Sequence, residues 1–302
     1  MKLPNFLIVG AAKCGTTSLY HYLNQHPDVF MPRWKELSLF IGDPHGPLHW
    51  VKKPAYYYRV FSRVQNETAI GEASTCYLYD EDSPRLIKRH LGNIKIIISL
   101  RNPVDMAYSL YNHQLRKEGE SLVTFEEALQ AEETRFLSKQ FRQTCYGWHA
   151  NYYYFRRGLY HNQVKRYLDT FSRANVMVIL FDELVADPVG ITRQAYRFIG
   201  VAADSKPEIR VHNRGGKIFR MPEFWEDRGL LQKTVSFVFS RNLLRKLPLI
   251  AQKRKIGPAP AIASTTALQL ADRYQDEIQR LETLIDKDLG AWKVPPAEVA
   301  NG

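Results

Sequence analysis

The chain has 302 residues, of which 45% are hydrophobic and 24% are charged. This composition is typical of a globular protein and excludes a disordered or fibrous chain. No apolar run approaches the roughly 18 residues that a membrane span requires. Lysine and arginine exceed aspartate and glutamate by 42 to 31, which gives a formal net charge of +11. This surplus favours anionic partners such as nucleotides, nucleic acids, acidic polymers or membrane surfaces.

The cysteine content and the first residues bear on the cellular compartment. Cys14, Cys76 and Cys145 are too few and too scattered for a disulfide framework or a zinc site. The opening sequence, MKLPNFLIVG, lacks the charged, apolar and small-residue order of a signal peptide. We therefore expect a cytoplasmic protein with reduced thiols and no bound metal.

Strand and helix patterns alternate along the chain. Asn5–Gly10 predicts a strand, and the spacing of Thr16–Gln25 predicts the helix after it. Lys95–Leu100 and Val176–Phe181 are continuous apolar runs, typical of strands buried on both faces. Other predicted elements are a short strand at Ala69–Gly71 and helices from Ser83-Pro84, from Pro103 to about Lys117, near Trp148–Phe171, from Asp187-Pro188 and over Thr266–Leu289. This order predicts an α/β fold, with a central parallel sheet flanked by helices in a single domain spanning 1–302.

One segment concentrates the positive charge. Between Arg228 and Lys255 basic residues occur without an acidic one, and apolar residues alternate with them at helical spacing up to Pro248. The pattern predicts a basic helical insertion at about 223–262. Three roles stay open for it: a packed helix with a solvated basic rim, a lid that recruits an anionic acceptor, or a helix that docks on an anionic membrane surface.

The loop after the first strand has the features of an anion-binding site. It reads Gly10-Ala-Ala-Lys13-Cys-Gly15-Thr16-Thr17-Ser18, so backbone N–H groups, a helix N-terminus and hydroxyl groups face the loop. A Walker A loop carries its lysine directly after the second glycine, where this chain has Thr16. The lysine lies three residues earlier, at Lys13, and is thus aimed at a group bound just beyond one phosphate. The ends of the buried strands offer only one carboxylate for Mg²⁺, in Phe181-Asp182.

With Lys13 in that position, the loop resembles the 5′-phosphosulfate loop of sulfotransferases that use 3′-phosphoadenosine 5′-phosphosulfate (PAPS). Further matches follow in the family's order: His26-Pro27-Asp28-Val29, Lys35-Glu36 through Phe40, Gly71-Glu72 through Tyr77, Leu100-Arg101 through Tyr111, Gly158 through Tyr160, and Asp187-Pro188. These segments resemble the heparan-sulfate N- and 3-O-sulfotransferases and their bacterial relatives. The resemblance covers nearly the whole chain except about 223–262.

The resemblance implies a set of donor-binding residues. Lys13 would neutralise the bridging and sulfuryl oxygens of the donor, and the other loop residues that would hold its 5′-phosphosulfate are Cys14, Gly15, Thr16, Thr17 and Ser18. Arg101 and Ser109 would bind the 3′-phosphate, because a guanidinium grips a phosphate bidentately. A glycine-rich basic loop occupies the place of the family's second cofactor loop, with Arg214, Lys217 and Arg220 as candidate contacts.

Two glutamates are candidates for the general base that transfer to an acceptor requires. Glu36 stands where the heparan-sulfate enzymes carry their catalytic glutamate, and Glu72 is the second candidate. Lys35 suggests a simpler interpretation of Glu36, an ion pair between neighbours on the surface. The family's lysine after the second glutamate is replaced here by Ala73.

The sequence therefore predicts a sulfotransferase that moves the sulfuryl group from PAPS to an acceptor hydroxyl or amine. The acceptor class stays open among carbohydrates, lipid-like or polyketide hydroxyls and small metabolites. One alternative is a nucleotide-dependent kinase of the P-loop type. A second is a non-catalytic binder of an anionic polymer or nucleic acid built on the segment 228–255, although we do not expect nucleic acid as a partner.

Overall fold

The computed structural model describes residues 2–43, 54–117, 119–210, 218–220, 255–257 and 262–293. By their contacts the residues form two compact units, one of 1–214 with 261–302 and one of 215–260. Among the described residues no helix is both long and apolar enough to cross a membrane.

The first unit is built on a five-stranded parallel sheet in the order β2-β3-β1-β4-β5. The strands are β1 (Phe6–Gly10), β2 (Val29–Phe30), β3 (Ala69–Ala73), β4 (Lys95–Leu100) and β5 (Val176–Leu180). From β1 the chain proceeds to β2 and β3 on one side and then crosses to β4 on the other. The strand order therefore reverses at β1, and open parallel sheets bind ligands beyond the carboxyl ends of the strands at such a point.

The helices pack on both faces of this sheet. They are α1 (Thr16–Leu23), α2 (Pro54–Val60), α3 (Ser83–Leu91), α4 (Pro103–Arg116), α5 (Phe125–Gln130), α6 (Glu132–Leu137), α7 (Lys139–Thr144), α8 (Tyr160–Thr170), α9 (Phe181–Ala186), α10 (Pro188–Ile199) and α11 (Ser264–Ile285). Their starts follow from local chemistry. Asn102 caps α4 by accepting from the Val104 N–H at 2.9 Å, and Asp187 caps α10 by accepting from Gly190 at 2.8 Å.

The core has two halves because side chains alternate along each strand. Phe6 and Ile8 of β1 pack with α1 and α10 on one face of the sheet. Leu7 and Val9 pack on the other face with residues of α3, α4, α8 and α11. The loop at the carboxyl end of β1 is thus anchored in apolar packing on both sides.

Two predicted helices differ from the structure. A helix was predicted near Trp148–Phe171. In the structure this region forms 3₁₀ turns at His149–Tyr152 and Arg156–Gly158, and an α-helix begins only at Tyr160. Three consecutive tyrosines at 152–154 are buried there, and one face of an α-helix cannot bury three neighbours in sequence. The helical periodicity of Thr266–Leu289 predicts an apolar side that includes Leu268, but in α11 Leu268 is 54% exposed, whereas Leu270 and Tyr274 are buried.

The second unit contains an antiparallel pair, β6 (Ile218–Arg220) and β7 (Lys255–Gly257), with Phe219 opposite Ile256. Arg214, Lys217 and the predicted insertion at 223–262, apart from β7 and residue 262, lie outside the described residues. The three roles considered for the basic segment therefore stay predictions.

Candidate active site

The loop between β1 and α1 is fastened to its neighbours by backbone contacts. The Ala11 N–H donates to the Ser99 carbonyl at 2.6 Å, and the Ser99 hydroxyl donates to the Cys14 carbonyl at 2.5 Å. Gly15 has φ of 77°, and a Cβ there would lie 2.8 Å from the Phe181 ring. The loop is thus held between the end of β4 and the start of α9, with the α1 N-terminus facing it.

Cys14 contributes its backbone to this loop, while its thiol is fully buried. Burial raises the pKa of Cys14 to about 12, and its sulfur lies 3.8 Å from the Tyr160 hydroxyl. The thiol is therefore neutral at neutral pH. A donor that binds the loop can meet the backbone of residue 14 but not its sulfur.

Lys13 lies among other cations. The pKa of Lys13 is lowered to about 8, mainly by burial and also by charge repulsion from Arg116, Lys117 and Arg101, although the neighbouring Cys14 acts in the opposite sense. A lysine in this environment is stabilised in its charged form by an anion placed beside it. The loop therefore has the electrostatics of an anion site.

Of the cations near Lys13, Arg116 ends α4, Lys117 directly follows this helix, and Arg101 precedes it. Ser109, His113 and Arg116 follow Asp105 at intervals of three or four residues, so they share a face of the helix. Burial and the charges of Lys13, Lys117 and Arg116 lower the pKa of His113 to about 3. His113 is therefore neutral, and Arg116 is the cation that this face of α4 offers to a ligand.

Arg101 lies at the carboxyl end of β4, as predicted. Its Nη2 donates to Asp105 at 3.2 Å, and its guanidinium lies 4.9 Å from the centre of the Phe181 ring. Its Nε is buried and has no hydrogen-bond partner among the described residues. Because a buried donor without a partner is costly, Arg101 has unused capacity to bind an anion.

Glu36 lies in a turn that is fastened to the loop after β3. The Glu36 N–H donates to the Ala73 carbonyl at 2.8 Å. Its carboxylate accepts from the Thr75 N–H at 2.8 Å and from the Thr75 hydroxyl at 3.2 Å. Glu36 is half-buried, so its carboxylate is both oriented and reachable.

Glu72 has a different environment. It belongs to β3 rather than following it, and it is 0% exposed. Burial raises its pKa to about 8, although a hydrogen bond from Ser74 acts in the opposite sense. Ser74 Oγ also accepts from the Ser38 N–H at 2.9 Å. Glu72 is therefore connected to the turn of Glu36 through Ser74.

Lys35 reaches the loop from the segment after β2. Its Nζ donates to Thr17 Oγ1 at 3.0 Å and lies 3.4 Å from Thr16 Oγ1. Glu36 is the next residue, so one segment carries both the lysine that contacts α1 and the carboxylate held by Thr75. The ion pair between Lys35 and Glu36 that the sequence suggested is not among the salt bridges of the described residues, where the Lys35 ammonium group contacts hydroxyls instead.

Arg157 is a second residue that the sequence analysis did not single out. It is 4% exposed, its Nη1 donates to Asn151 at 3.1 Å, and its guanidinium lies 5.2 Å from the centre of the Trp148 ring. Its Nη2 donates to the Thr75 carbonyl at 3.5 Å, so a buried positive charge lies behind the residue that holds Glu36. In the sequence, the available signal for Arg157 was its position directly before Gly158, where one of the segments that match the family begins.

The carboxylate considered as a ligand for Mg²⁺ has another partner. Asp182 accepts from the Trp292 indole N–H at 3.3 Å. In the described part of the chain, no group of three or more His, Cys, Asp or Glu side chains is placed to hold a metal ion. Of the three candidate contacts in the second cofactor loop, only Arg220 is among the residues that the structure describes, as a residue of β6.

The model of the sulfotransferase domain family matches residues 3–214, and the chain belongs to this family. A crystal structure of a sulfotransferase from Alicyclobacillus acidocaldarius is 34% identical, covers 97% of this chain and 100% of its own, and superposes with a TM-score of 0.72. The bifunctional heparan sulfate N-deacetylase/N-sulfotransferase 4 of Mus musculus is 28% identical over 212 residues, which are 66% of this chain and 22% of the mouse protein. The human enzyme 3 of the same description is 29% identical over 213 residues, again 66% and 22%.

The chain thus spans about a fifth of the length of these curated relatives, which are 22% covered. The family resemblance and the fold class predicted from the sequence are confirmed.

Proposed function

We propose that the protein transfers a sulfuryl group from PAPS to an acceptor hydroxyl or amine by in-line displacement, with Glu36 as the general base. The observation that carries the proposal is the juxtaposition of a cationic loop with an oriented carboxylate. Lys13 lies in a loop surrounded by Arg101 and Arg116, and the segment that contacts Thr17 of the same loop continues directly into Glu36.

The described residues fit an anionic donor with two phosphate positions. The loop residues Lys13, Gly15, Thr16, Thr17 and Ser18, with the backbone of Cys14, would hold the 5′-phosphosulfate, while Arg101 and Ser109 would hold the 3′-phosphate. When bound, PAPS supplies the sulfuryl group and a phosphate leaving group. Sulfuryl transfer depends mainly on positioning and charge stabilisation, which is what a fixed loop with Lys13 provides.

Glu36 would accept the proton of the acceptor group. Both of its oxygens are held by Thr75, so the carboxylate needs little reorientation when an acceptor arrives. Thr75 is itself held from behind, because the buried Arg157 donates to its carbonyl at 3.5 Å.

Glu72, the second candidate base, is more suitable as a positioning residue. It has no solvent exposure and acts on the turn of Glu36 through Ser74 and Ser38. We therefore assign Glu72 to the support of Glu36 rather than to direct contact with an acceptor.

Other parts of the proposal rest on the sequence alone. Arg214, Lys217 and Arg220 stay candidates for donor contacts, and the cytoplasmic location and the single-domain organisation stay predictions. The relatives named above carry heparan sulfate in their descriptions. This supports carbohydrate hydroxyls or amines as the first acceptors to examine, before lipid-like hydroxyls and small metabolites.

The proposal is tested by a screen in which ³⁵S-labelled PAPS is offered with acceptors from each class. We expect label to pass to at least one class, and the matched control is Lys13→Met under the same conditions. Phosphate transfer from ATP without any sulfuryl transfer would favour the kinase alternative instead.

The assignment of the base is tested with Glu36→Gln and Glu72→Gln. Glutamine keeps the shape and hydrogen bonding of Glu36 but cannot take up a proton, so we expect transfer to fall by about 10²- to 10⁴-fold while binding of adenosine 3′,5′-bisphosphate (PAP) persists. Glu72→Gln should cost much less. The reverse order of the two losses would move the base to Glu72.

A further inference from the structure

Lys35 lies over the first turn of α1. Besides its contacts with the hydroxyls of Thr16 and Thr17, its Nζ lies 5.8 Å from the centre of the Tyr20 ring. The backbone next to it is fixed, because the Glu36 N–H donates to the Ala73 carbonyl in β3. The ammonium group is therefore delivered to the loop by a segment anchored on the sheet.

The partners of this ammonium group are uncharged. Burial lowers the pKa of Lys35, and the carboxylates of Glu36 and Glu72 only partly oppose that effect from a distance. A half-buried cation that is bound by hydroxyl oxygens gains from an anion at the same place, because charge-assisted hydrogen bonds are about twice as strong as neutral ones.

Thr16 and Thr17 are themselves the hydroxyls proposed to bind the 5′ end of the donor. An anion within hydrogen-bond distance of Thr17 Oγ1 also lies within reach of Lys35 Nζ, since the two atoms are 3.0 Å apart. The flexible lysine stem permits the small movement needed to exchange one oxygen for another.

We propose that Lys35 is a donor-contact residue whose Nζ passes from the Thr16 and Thr17 hydroxyls to the 5′-phosphosulfate oxygens when PAPS binds. The inference rests on the proposed function and adds a second lysine, from outside the loop, to the 5′ end of the donor site. It also implies that Lys35, the residue next to the proposed base, changes its hydrogen-bond partners when the donor binds.

The test is calorimetric binding of two nucleotides to the intact protein. PAP carries the 5′-phosphate, whereas 3′-AMP lacks it. For Lys35→Met we expect the affinity for PAP to fall by about 10- to 100-fold, the range of a lost hydrogen bond to a charged group, while the affinity for 3′-AMP changes less than about twofold. Lys35→Arg should recover most of the PAP affinity.

Arg33→Met is the matched control, because Arg33 is an exposed cation two residues away whose guanidinium lies 5.2 Å from the centre of the Trp34 ring. It should leave both affinities unchanged. Equal PAP affinity in wild type and Lys35→Met would overturn the assignment, as would an equal loss for PAP and 3′-AMP. A wild-type protein that binds no PAP would instead refute the proposed function itself.

Discussion

Two residues proposed to act in the reaction share an uncommon backbone conformation. Lys13 has φ of 66° and Glu36 has φ of 62°, both in the left-handed region that residues with a Cβ seldom adopt. Such conformations cost of order 1 kcal/mol or more and persist only where the surroundings impose them. Here the contacts of the loop with Ser99 and of Glu36 with Ala73 impose them. Of the four described residues other than glycine with positive φ, three (Lys13, Glu36 and Ser38) lie at the site, and the fourth, Asp286, lies at the C-terminal end of α11.

Because the pKa of Lys13 is lowered to about 8, we expect proton uptake when an anion binds beside it. A phosphate beside Lys13 stabilises its charged form, so PAP binding at pH 8 should be accompanied by uptake of about half a proton at this residue. The measurement is calorimetry of PAP binding in two buffers with different ionisation enthalpies. Lys13→Met should remove this part of the uptake, and at pH 6 wild type and variant should agree. Undiminished uptake in the variant would show that Lys13 does not face the phosphate.

The same substitution also tests the role of Lys13 in turnover. If Lys13 neutralises charge that develops on the donor, Lys13→Met should lower the transfer rate by about 10²- to 10³-fold, the effect of losing one transition-state donor. PAP affinity should fall much less, since Thr16 to Ser18 and Arg101 keep their contacts. Ordinary turnover in the variant would refute the role.

Glu72 predicts a dependence of stability on pH. Its pKa is about 8 in the folded protein and near 4.5 when unfolded, so the folded state binds the extra proton between these values. Its contribution is fully present below pH 4.5 and is lost as pH rises through 8. Glu72→Gln has no such proton, so its melting temperature relative to wild type should rise by a few degrees from pH 5 to pH 8, as measured by thermal denaturation. A constant difference across that range would contradict the buried, protonated state of Glu72.

At the scale of elements, the sequence predicts well wherever a local rule and the packing agree. β4 is found at the predicted Lys95–Leu100, because a continuous β-branched run suits only a strand covered on both faces. Pro103 likewise begins α4. The loop from Gly10 to Ser18 is found between its strand and helix as predicted.

What the sequence did not predict depends on contacts between distant segments. No local pattern in the sequence predicts that Lys35 contacts the hydroxyls of Thr16 and Thr17. No pattern predicts that Glu72, a residue of β3, is fully buried. Lys35 and Glu36 are also adjacent without pairing, because each has a partner supplied by another element. The resemblance shows that a lysine is missing at Ala73, but only the structure shows that the backbone of Glu36, the residue after Lys35, donates to the Ala73 carbonyl.

The turn from β1 into α1 makes a prediction about Gly15. An alanine at position 15 would have to adopt the left-handed φ of 77°, and its Cβ would lie 2.8 Å from the Phe181 ring. Gly15→Ala should therefore lower the free energy of unfolding by about 2–4 kcal/mol, measured by urea denaturation. Gly147 is the control, because its φ is 74° but a Cβ there meets nothing within 4 Å, so Gly147→Ala should cost only about 1 kcal/mol. Equal losses would mean that Phe181 does not press on the loop.

At the scale of the whole molecule, the surplus of basic charge has a local counterpart in the site. The net charge is +11, and Lys13, Arg101, Arg116 and Lys117 are grouped around the loop at the carboxyl end of β1. Long-range attraction then brings anions toward the point where the sheet order reverses, and close contacts select among them. Under the proposed function, selection for PAPS rather than an ordinary adenine nucleotide depends on the 3′-phosphate, and so on the proposed contacts of Arg101 and Ser109.

The most direct test of the account is therefore competition between adenine nucleotides for wild-type protein and for Arg101→Met. We predict that wild type binds PAP at least about 10-fold more tightly than 5′-AMP, because Arg101 adds a charge-assisted contact with the 3′-phosphate, and that Arg101→Met loses most of this preference. Equal binding of PAP and 5′-AMP by wild type, or tighter binding of Mg²⁺-ATP than of PAP, would contradict the assignment of this site to a PAPS donor.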